Sequence, residues 1–301
     1  MIRLGTRGSK LALAQSQLVA QQLKAFGSEV EIVVITTTGD RAASTPPDSS
    51  ATGIFVKELE AELLRGGIDL AVHSLKDMPT EVPEGLAVGA ALARGVPLDV
   101  LVCRDGSADM AALPAGARVG TSSPRRCAQL LHYRPDLEMR PIRGNVDTRL
   151  RKLDAGEFDA VVLAQAGLER LGIRDRPARA IPPDICLPAP GQGALALEIR
   201  YDDGDLAKLV KPLEHAETRA CVTAERAFLK ALGGGCRAAV GALAEVVDGA
   251  LVLEAMVAAP DGTRLLRTTA RGTPEAAETV GHAAAQELVE RGADELVRAA
   301  K

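Results

Sequence analysis

Arginine is concentrated in one stretch of the chain, between residues 118 and 152. This stretch holds nine basic residues and three acidic ones, whereas the whole chain of 301 residues has a formal net charge of -4. All but one of the nine are arginines, whose planar guanidinium donates paired hydrogen bonds to carboxylate or phosphate. The pattern predicts a site for a small polyanion. A solvated helix face would also explain such charges, and we interpret Arg134, Arg140 and Arg151 in that way.

Two of these arginines follow a predicted strand at the start of a helix, in Thr121-Ser122-Ser123-Pro124-Arg125-Arg126. Ser123 is the expected N-cap and Pro124 the first helical residue. Arginine in a first turn opposes the helix dipole, at a cost of roughly 0.3 to 1 kcal/mol. We therefore expect a bound anion at this helix N-terminus to offset the cost, contacted by Arg125 and Arg126.

Two further segments repeat this arrangement. In Arg143-Gly144-Asn145 the glycine allows close approach of the backbone, Asn145 is the expected cap, and Arg149 lies one turn into the helix. The segment Thr6-Arg7-Gly8-Ser9 stands at the end of the first predicted strand. Three such segments at predicted strand ends favour a binding site over chance.

A carboxylate that could transfer protons follows a buried strand, in His73-Ser74-Leu75-Lys76-Asp77. Asp77 is the only carboxylate of that loop and would act as a general acid or base when partly desolvated among cations. An ion pair with Lys76 or with an arginine explains it equally well. We interpret His73, directly after the apolar strand, as a structural histidine with a hydrogen-bond partner.

One of the five cysteines, Cys236, follows a run of glycines and precedes Arg237, which favours its thiolate. Such a loop suits covalent attachment of a ligand, although the residues alone favour an incidental loop cysteine. The other four are scattered without Cys-x-x-Cys spacing, as expected for reduced thiols of a cytoplasmic protein. None of the four histidines has a second ligand at metal-binding spacing, so no metal site is predicted.

Composition argues against nucleic acid and membrane partners. Aromatic residues make up 2% of the chain, too few for base stacking, and the acidic net charge disfavours a surface that tracks phosphates. The first residues have no signal-peptide pattern, and no segment has the length of a membrane span. We expect a cytoplasmic protein.

The first two thirds of the chain alternate short apolar runs with amphipathic stretches, which predicts parallel sheets covered by helices. In such sheets ligands bind beyond the carboxyl ends of the strands, where the segments above lie. The first series of strands and helices comprises residues 2–5, 10–26, 30–36, 55–64 and 68–72. The second comprises residues 100–102, 118–120, 125–132, a strand near 139, 146–153 and 160–163. A last strand, 194–199, is expected to return to the first sheet.

The order of predicted helices and strands changes from Glu217 onward. A helix over 217–232 precedes predicted antiparallel strands over 238–247, 251–258 and 264–269 and a closing helix over 275–291. These residues predict a small α+β domain. We therefore expect three domains, comprising residues 1–95 with 193–212, residues 99–188, and residues 216–301.

Taken together, these motifs resemble the porphobilinogen deaminase family along essentially the whole chain and in the family's order. Three further segments carry the resemblance: Phe55-Val56-Lys57-Glu58-Leu59, Leu187-Pro188-Ala189-Pro190-Gly191-Gln192-Gly193-Ala194 and Thr223-Ala224-Glu225-Arg226. The resemblance implies an α/β fold of two periplasmic-binding-protein-like domains with mixed, mainly parallel sheets, plus a small α+β C-terminal domain.

The resemblance also implies a transferase of haem (tetrapyrrole) biosynthesis. The family condenses four porphobilinogen molecules into hydroxymethylbilane, with loss of ammonia, on a dipyrromethane cofactor held by a cysteine thioether. Cys236 matches that cysteine, and Asp77 matches the residue that holds pyrrole N–H groups and assists proton transfer. Phe55 would close over the site as a lid or stacking residue. The implied contacts to cofactor and substrate are Arg7, Ser9, Ser74, Lys76, Thr121, Ser123, Arg125, Arg126, Arg143, Asn145, Arg149, Arg170 and Gln192.

By the same resemblance the protein is expected to be a monomer and to hand its product to uroporphyrinogen-III synthase. The chain departs from many family members in residues 48–53, which carry no lysine, so the lid is expected to act only by excluding water. A non-catalytic binding protein with the same two-domain cleft is an alternative. A phosphate-transfer enzyme is a weaker one, because the chain lacks a Walker-type motif.

Overall fold

The computed structural model describes residues 1–36, 56–233 and 238–299. The predicted lid residue Phe55 and the predicted attachment residue Cys236 lie outside the described residues. The chain divides into two compact units: the first comprises Met1–Gly95 and Ala194–Arg219, and the second comprises Val96–Gly193 and Ala220–Lys301. The division into three domains stays a prediction.

The elements of the described residues follow the predicted alternation. The strands are β1 (Ile2–Arg7), β2 (Val30–Ile35), β3 (Leu70–Ser74), β4 (Leu86–Ala91), β5 (Asp99–Cys103), β6 (Arg118–Gly120), β7 (Glu138–Arg140), β8 (Ala160–Ala164), β9 (Arg179–Ala180), β10 (Leu195–Arg200), β11 (Ala239–Val247), β12 (Ala250–Ala258) and β13 (Leu265–Gly272). The helices are α1 (Lys10–Ala25), α2 (Lys57–Leu64), α3 (Pro124–Tyr133), α4 (Val146–Asp154), α5 (Gln165–Arg170), α6 (Gly204–Val210), α7 (Ala216–Ala231), α8 (Ala277–Glu290) and α9 (Ala293–Ala299).

The first unit is built on a five-stranded sheet with the order β2-β1-β3-β10-β4. β10 is antiparallel to both of its neighbours, whereas β1 is parallel to β2 and β3, so four strands run one way and one opposes them. This confirms the prediction that the strand over 194–199, here β10, returns to the first sheet after the second series of strands and helices. Leu4, Val19, Leu70 and Leu197 belong to one buried hydrophobic cluster that joins this sheet to α1.

The second unit contains a five-stranded sheet with the order β7-β6-β8-β5-β9. Here β5 is antiparallel to β8 and β9, while β6 is parallel to β7 and β8, so again a single strand opposes four. Val100 and Val161 lie in one buried cluster and Leu101 and Val162 in another, because alternate residues of a strand face opposite sides of its sheet. The predicted mixed, mainly parallel sheets are confirmed in both units.

The C-terminal part of the second unit has its own antiparallel sheet, β11-β12-β13. Its largest buried cluster surrounds Phe228 of α7 and includes residues of α8 and α9. A smaller cluster joins Ala128 of α3 to Ala239 and Met256, so this sheet packs against the helix that carries Arg125 and Arg126. The predicted helices, strands and closing helix of this region are confirmed, with ends that differ by a few residues.

Five elements were not predicted from the sequence: β4, β9, α5, α6 and α9. β9 has only two residues. β4 reads LAVGAA, and its alanines and glycine have weak strand propensity, so the pattern did not identify it. α5, α6 and α9 are six or seven residues long, too short to give a clear helical period. None of the helices in the described ranges is long and apolar enough to cross a membrane.

Candidate functional site

In the first unit, Asp77 lies on a short turn at the carboxyl end of β3. The strand ends at Ser74 and continues into a 3-10 turn over Leu75–Asp77. The Leu75 N–H donates to the Ala194 carbonyl oxygen at 3.0 Å, and the Met78 N–H donates to the Leu75 carbonyl oxygen at 3.1 Å. The backbone of the turn is therefore tied to the residue that precedes β10.

The Asp77 carboxylate itself is exposed, and among the described residues it has no hydrogen-bond or ion-pair partner. The alternative of an ion pair with Lys76 or an arginine is thus not observed within this part of the chain. Lys76 is also exposed, and Arg7 at the end of β1 is half-buried. A carboxylate held on an anchored turn with free oxygens can accept N–H donors or exchange a proton.

The two predicted serine contacts of the first unit already have partners. Ser9 caps α1, where its Oγ accepts the Ala12 N–H at 3.2 Å. Ser74 Oγ accepts from Nε2 of Gln15 at 2.9 Å. Gln15 is buried on α1 and was missed by the sequence analysis. The available signal was a polar residue four positions before Val19, on the apolar stripe of that helix.

In the second unit, the start of α3 has the predicted cap. Ser123 is the N-cap, its Oγ accepts the Arg126 N–H at 3.4 Å, and Pro124 is the first helical residue. Thr121 Oγ1 accepts the Ser123 N–H at 3.2 Å and is buried, so it shapes the turn that precedes the helix. The predicted helix start is confirmed.

Both arginines of this first turn are buried and bound to one carboxylate, that of Asp99 at the start of β5. Nη1 of Arg125 donates to Asp99 Oδ2 at 2.7 Å and to the Leu187 carbonyl oxygen at 2.7 Å. Nη2 of Arg126 donates to Asp99 Oδ1 at 2.6 Å, and its Nη1 donates to the Val162 carbonyl oxygen at 2.8 Å. The anion that we expected a ligand to supply is thus a carboxylate of the protein, which corrects that expectation.

Asp99 was missed by the sequence analysis, although an acidic residue inside an apolar strand was a signal. Burial alone would raise the pKa of its carboxyl, but the charges of Arg125 and Arg126 hold that pKa well below its usual range. The carboxylate also accepts from Nε2 of Gln192, at 2.9 Å. Two guanidiniums share one carboxylate, so this buried group carries a net positive charge of one. The role of Arg125, Arg126 and Gln192 in ligand binding stays a prediction.

Arg149 on α4 is a half-buried cation with no ion-pair partner in the described ranges. Its Nε donates to the Gly144 carbonyl oxygen at 2.8 Å. Burial lowers the pKa of its guanidinium, and the charge of Arg126 lowers it further. Gly144 has a φ of 105°, a conformation that side chains rarely adopt, so the backbone turn presented to Arg149 requires glycine.

Arg170 at the end of α5 resembles Arg149 in its surroundings. It is half-buried, Nη2 donates to the Gly193 carbonyl oxygen at 2.5 Å, and no carboxylate of the described residues pairs with it. Burial lowers the pKa of its guanidinium, and the negative charge of Glu169 only partly opposes that shift. Because a buried charge without a counter-ion is costly, both arginines favour a ligand that supplies negative charge.

The remaining residues of this arginine-rich stretch lie at the surface. Arg143 is exposed, and Asn145 occupies the N-cap position of α4 without a side-chain cap bond, which corrects the predicted capping role. Its exposed amide is therefore not used by the helix. Arg134 and Arg140 form local ion pairs with Asp136 and Glu138. Their interpretation as a solvated helix face is wrong, because Arg140 lies on β7 and Arg134 ends α3 with a side chain that is 20% exposed.

Two other side chains with reactive groups, His73 and Cys186, are buried and have structural contacts. His73 is buried and hydrogen-bonded to Glu198, which confirms its structural interpretation. Burial, followed by the charge of Asp99, raises the pKa of the Cys186 thiol to about 12. Within the described ranges, no group of three or more potential ligands could hold a metal ion.

Comparisons with known proteins agree with this arrangement. The family model described as porphobilinogen deaminase, dipyromethane cofactor binding domain, matches residues 2–208, and the model of the C-terminal domain of porphobilinogen deaminase matches residues 219–290. A porphobilinogen deaminase of Pelotomaculum thermopropionicum is 51% identical over 100% of this chain and 97% of its own length. One from Acidothermus cellulolyticus is 51% identical over 100% of this chain and 92% of its length.

Similarity to solved structures is much more distant. A nutrient-binding protein from Burkholderia cenocepacia bound to methionine aligns with 17% identity and a TM-score of 0.44, over 72% of this chain and 93% of that one. This is too remote to bear on function. The two family models together span almost the whole sequence, and full-length relatives share half of its residues. The chain therefore belongs to the porphobilinogen deaminase family.

Proposed function

We propose that Asp77 is the catalytic carboxylate of this chain and that Arg149 and Arg170 bind carboxylates of its cofactor and substrate. Membership of the family makes the chain a transferase of tetrapyrrole biosynthesis, which polymerises porphobilinogen into hydroxymethylbilane on a dipyrromethane cofactor. The observation that carries the proposal is a pair of desolvated guanidiniums that form no ion pair with a carboxylate of the described residues; the charge of Glu169 only partly opposes the effect of burial on Arg170.

The positive charges of these residues suit a dipyrromethane group, which carries carboxylates. Each porphobilinogen unit carries an acetate and a propionate, so cofactor and growing product both present carboxylates. Arg149 and Arg170 would each gain a counter-ion, and the net positive charge on the group of Arg125, Arg126 and Asp99 would add to the attraction. When bound, the cofactor supplies the terminal pyrrole carbon to which the next unit is joined.

The residues of the chain bind and orient the ligand and transfer protons. Asp77 accepts the pyrrole N–H groups on its free oxygens and assists proton transfer as ammonia leaves. Arg7, Lys76 and Arg143 add positive charge around the ligand. The neutral contacts we propose are Ser9, Ser74, Thr121, Ser123, Asn145 and Gln192.

Two roles fall on residues outside the described ranges. Cys236 is proposed to hold the cofactor as a thioether, and Phe55 to close over it. Both rest on the match of Gly234-Gly235-Cys236 and Phe55-Val56-Lys57-Glu58-Leu59 to the family. We further propose a cytoplasmic monomer whose product passes to uroporphyrinogen-III synthase.

Intact-mass measurement tests the attachment directly. The purified protein should be heavier than its sequence by two linked pyrrole units, and the excess should be absent from Cys236→Ala. An unmodified but active protein would reject the assignment.

The catalytic role of Asp77 is tested with Asp77→Asn, which should keep the mass excess but turn over very slowly. Asp205→Asn is a matched control, because Asp205 is an almost fully exposed carboxylate of the same unit, and it should have normal turnover. Near-normal turnover in Asp77→Asn would remove this residue from the mechanism.

A further inference from the structure

A buried polar cluster lies in the first unit, where β3, β10 and α2 meet. It consists of His73 on β3, Glu198 on β10 and Glu60 on α2, which are 5%, 0% and 7% exposed. Nε2 of His73 lies 2.9 Å from Oε2 of Glu198. Oε1 of Glu198 and Oε1 of Glu60 have no hydrogen-bond partner within the described residues. The proposed reaction uses none of these groups.

His73 is the main hydrogen-bonding partner of Glu198 in this cluster. A buried carboxyl group that loses its hydrogen-bond partner is destabilising, because its polar atoms are left unsatisfied. Glu60 does not replace His73 in the structure, because Oε1 of Glu60 has no hydrogen-bond partner within the described residues. Burial raises the pKa of Glu60, the negative charge of Glu198 raises it further, and His73 and Lys57 oppose that rise. The side-chain bond between His73 and Glu198 is thus a specific link between two strands.

The link lies at the end of β3 that leads to Asp77. β1 pairs with β3 only at Leu70 and Ala71, so beyond these residues β3 is joined in the sheet to β10 alone. His73 lies opposite Ala196 in that ladder. Glu198 is two residues further along β10 and on the same face of the sheet, since side chains alternate along a strand.

We propose that His73 is a positioning residue of the polymerisation reaction, which through Glu198 fixes the end of β3 and the turn that carries Asp77. The inference rests on the proposed catalytic role of Asp77. The turn begins at Leu75, two residues after His73, and its first N–H is held by the Ala194 carbonyl oxygen, in continuation of the ladder between β3 and β10. Displacement of a reacting group by about 1 Å costs on the order of 100-fold in rate.

The decisive variant replaces both partners, His73→Leu with Glu198→Leu. Removal of both polar groups leaves no unpaired charge on β3 or β10, and burial favours the neutral acid form of the remaining Glu60, so the protein should fold with little loss of stability. We expect kcat to fall about 10- to 100-fold while KM for porphobilinogen changes by less than about twofold. Amide exchange at Leu75 should become about tenfold faster, because its bond to Ala194 is no longer held in place.

A conservative variant of His73 distinguishes a positioning role of this residue from a packing role. His73→Gln keeps an N–H donor near the position of Nε2 and should retain kcat within about threefold of the unchanged protein. Glu60→Gln is the matched control: it alters the same buried cluster but neither strand, and kcat should stay normal. Normal kcat or unchanged Leu75 exchange in the double variant would overturn the inference. A loss of kcat in His73→Gln or Glu60→Gln equal to that of the double variant would do so as well.

Asp77→Asn, measured in parallel, separates this inference from the proposed function. Slow turnover in Asp77→Asn with a normal double variant rejects only the role of His73. Normal turnover in Asp77→Asn rejects the role of Asp77 and, with it, the inference.

Discussion

Asp99 and Arg126 form a buried ion pair in the second unit, with Oδ1 and Nη2 2.6 Å apart and the two side chains 0% and 7% exposed. Arg125 binds the other oxygen of the same carboxylate, so one acidic side chain holds two basic ones. The Asp99 carboxylate thus supplies negative charge to two arginines that lie in the first turn of α3, where the helix dipole disfavours them. It also leaves the group one positive charge in excess, close enough to Arg149 to lower the pKa of that guanidinium.

Asp99→Asn should lower the free energy of unfolding by about 3 to 5 kcal/mol, because it leaves two buried guanidiniums without a carboxylate. Urea denaturation at pH 7 measures the change. Asp136→Asn is the control, since Asp136 pairs with Arg134 nearer the surface, and its loss should cost at most about 1 kcal/mol. Equal effects of the two substitutions would contradict the importance of the buried group.

The stability of the second unit should depend on Asp159 in acid. Hydrogen bonds from the Arg118 side chain and backbone lower the pKa of the Asp159 carboxyl from 3.8 to about 2. A carboxyl with a lowered pKa stabilises the fold above its unfolded pKa and loses that contribution as the pH falls through the folded one. Asp159→Asn should therefore be less stable than the unchanged protein at pH 7, with the difference shrinking between about pH 4 and pH 2.

Urea unfolding of both proteins across this pH range gives the comparison. A difference in unfolding free energy that stays constant down to pH 2 would show that the charge of Asp159 is not responsible.

Cys186 should resist alkylation in the folded protein. Its Sγ lies 3.5 Å from Asp99 Oδ2, and its pKa of about 12 leaves very little thiolate at pH 8. Mass spectrometry of peptides after maleimide treatment should detect modification at Cys186 only when the protein is first denatured. Rapid labelling of the native protein would mean that this region opens readily.

The sequence predicted most of the fold because its signals were local. The cap and proline before Arg125 defined the start of α3, and the alternation of apolar runs gave the two mainly parallel sheets. β4 was missed because small residues pack well at a strand position without marking it in the sequence.

The site was predicted less completely, because sequence reveals which residues are charged and not which of them meet. An excess of arginine indicated an anion, yet whether the anion was Asp99 or a ligand depended on how β5, which carries Asp99, packs against α3, which carries the two arginines. Gln15 and Glu198 were missed for the same reason: each acts through a residue on a different element. Cys236 was found through a family motif alone.

The most direct test of the central claim is the measurement of kcat/KM for porphobilinogen in Arg149→Gln beside Arg151→Gln. Both arginines belong to α4, but Arg149 is half-buried with no carboxylate partner in the described residues, whereas Arg151 is exposed. If Arg149 binds a ligand carboxylate, its loss should lower kcat/KM about 30-fold or more, as expected for a desolvated charge pair, and Arg151→Gln should stay within about twofold. Equal values for the two variants would contradict the claim that buried, uncompensated guanidiniums hold the acid groups of the growing chain.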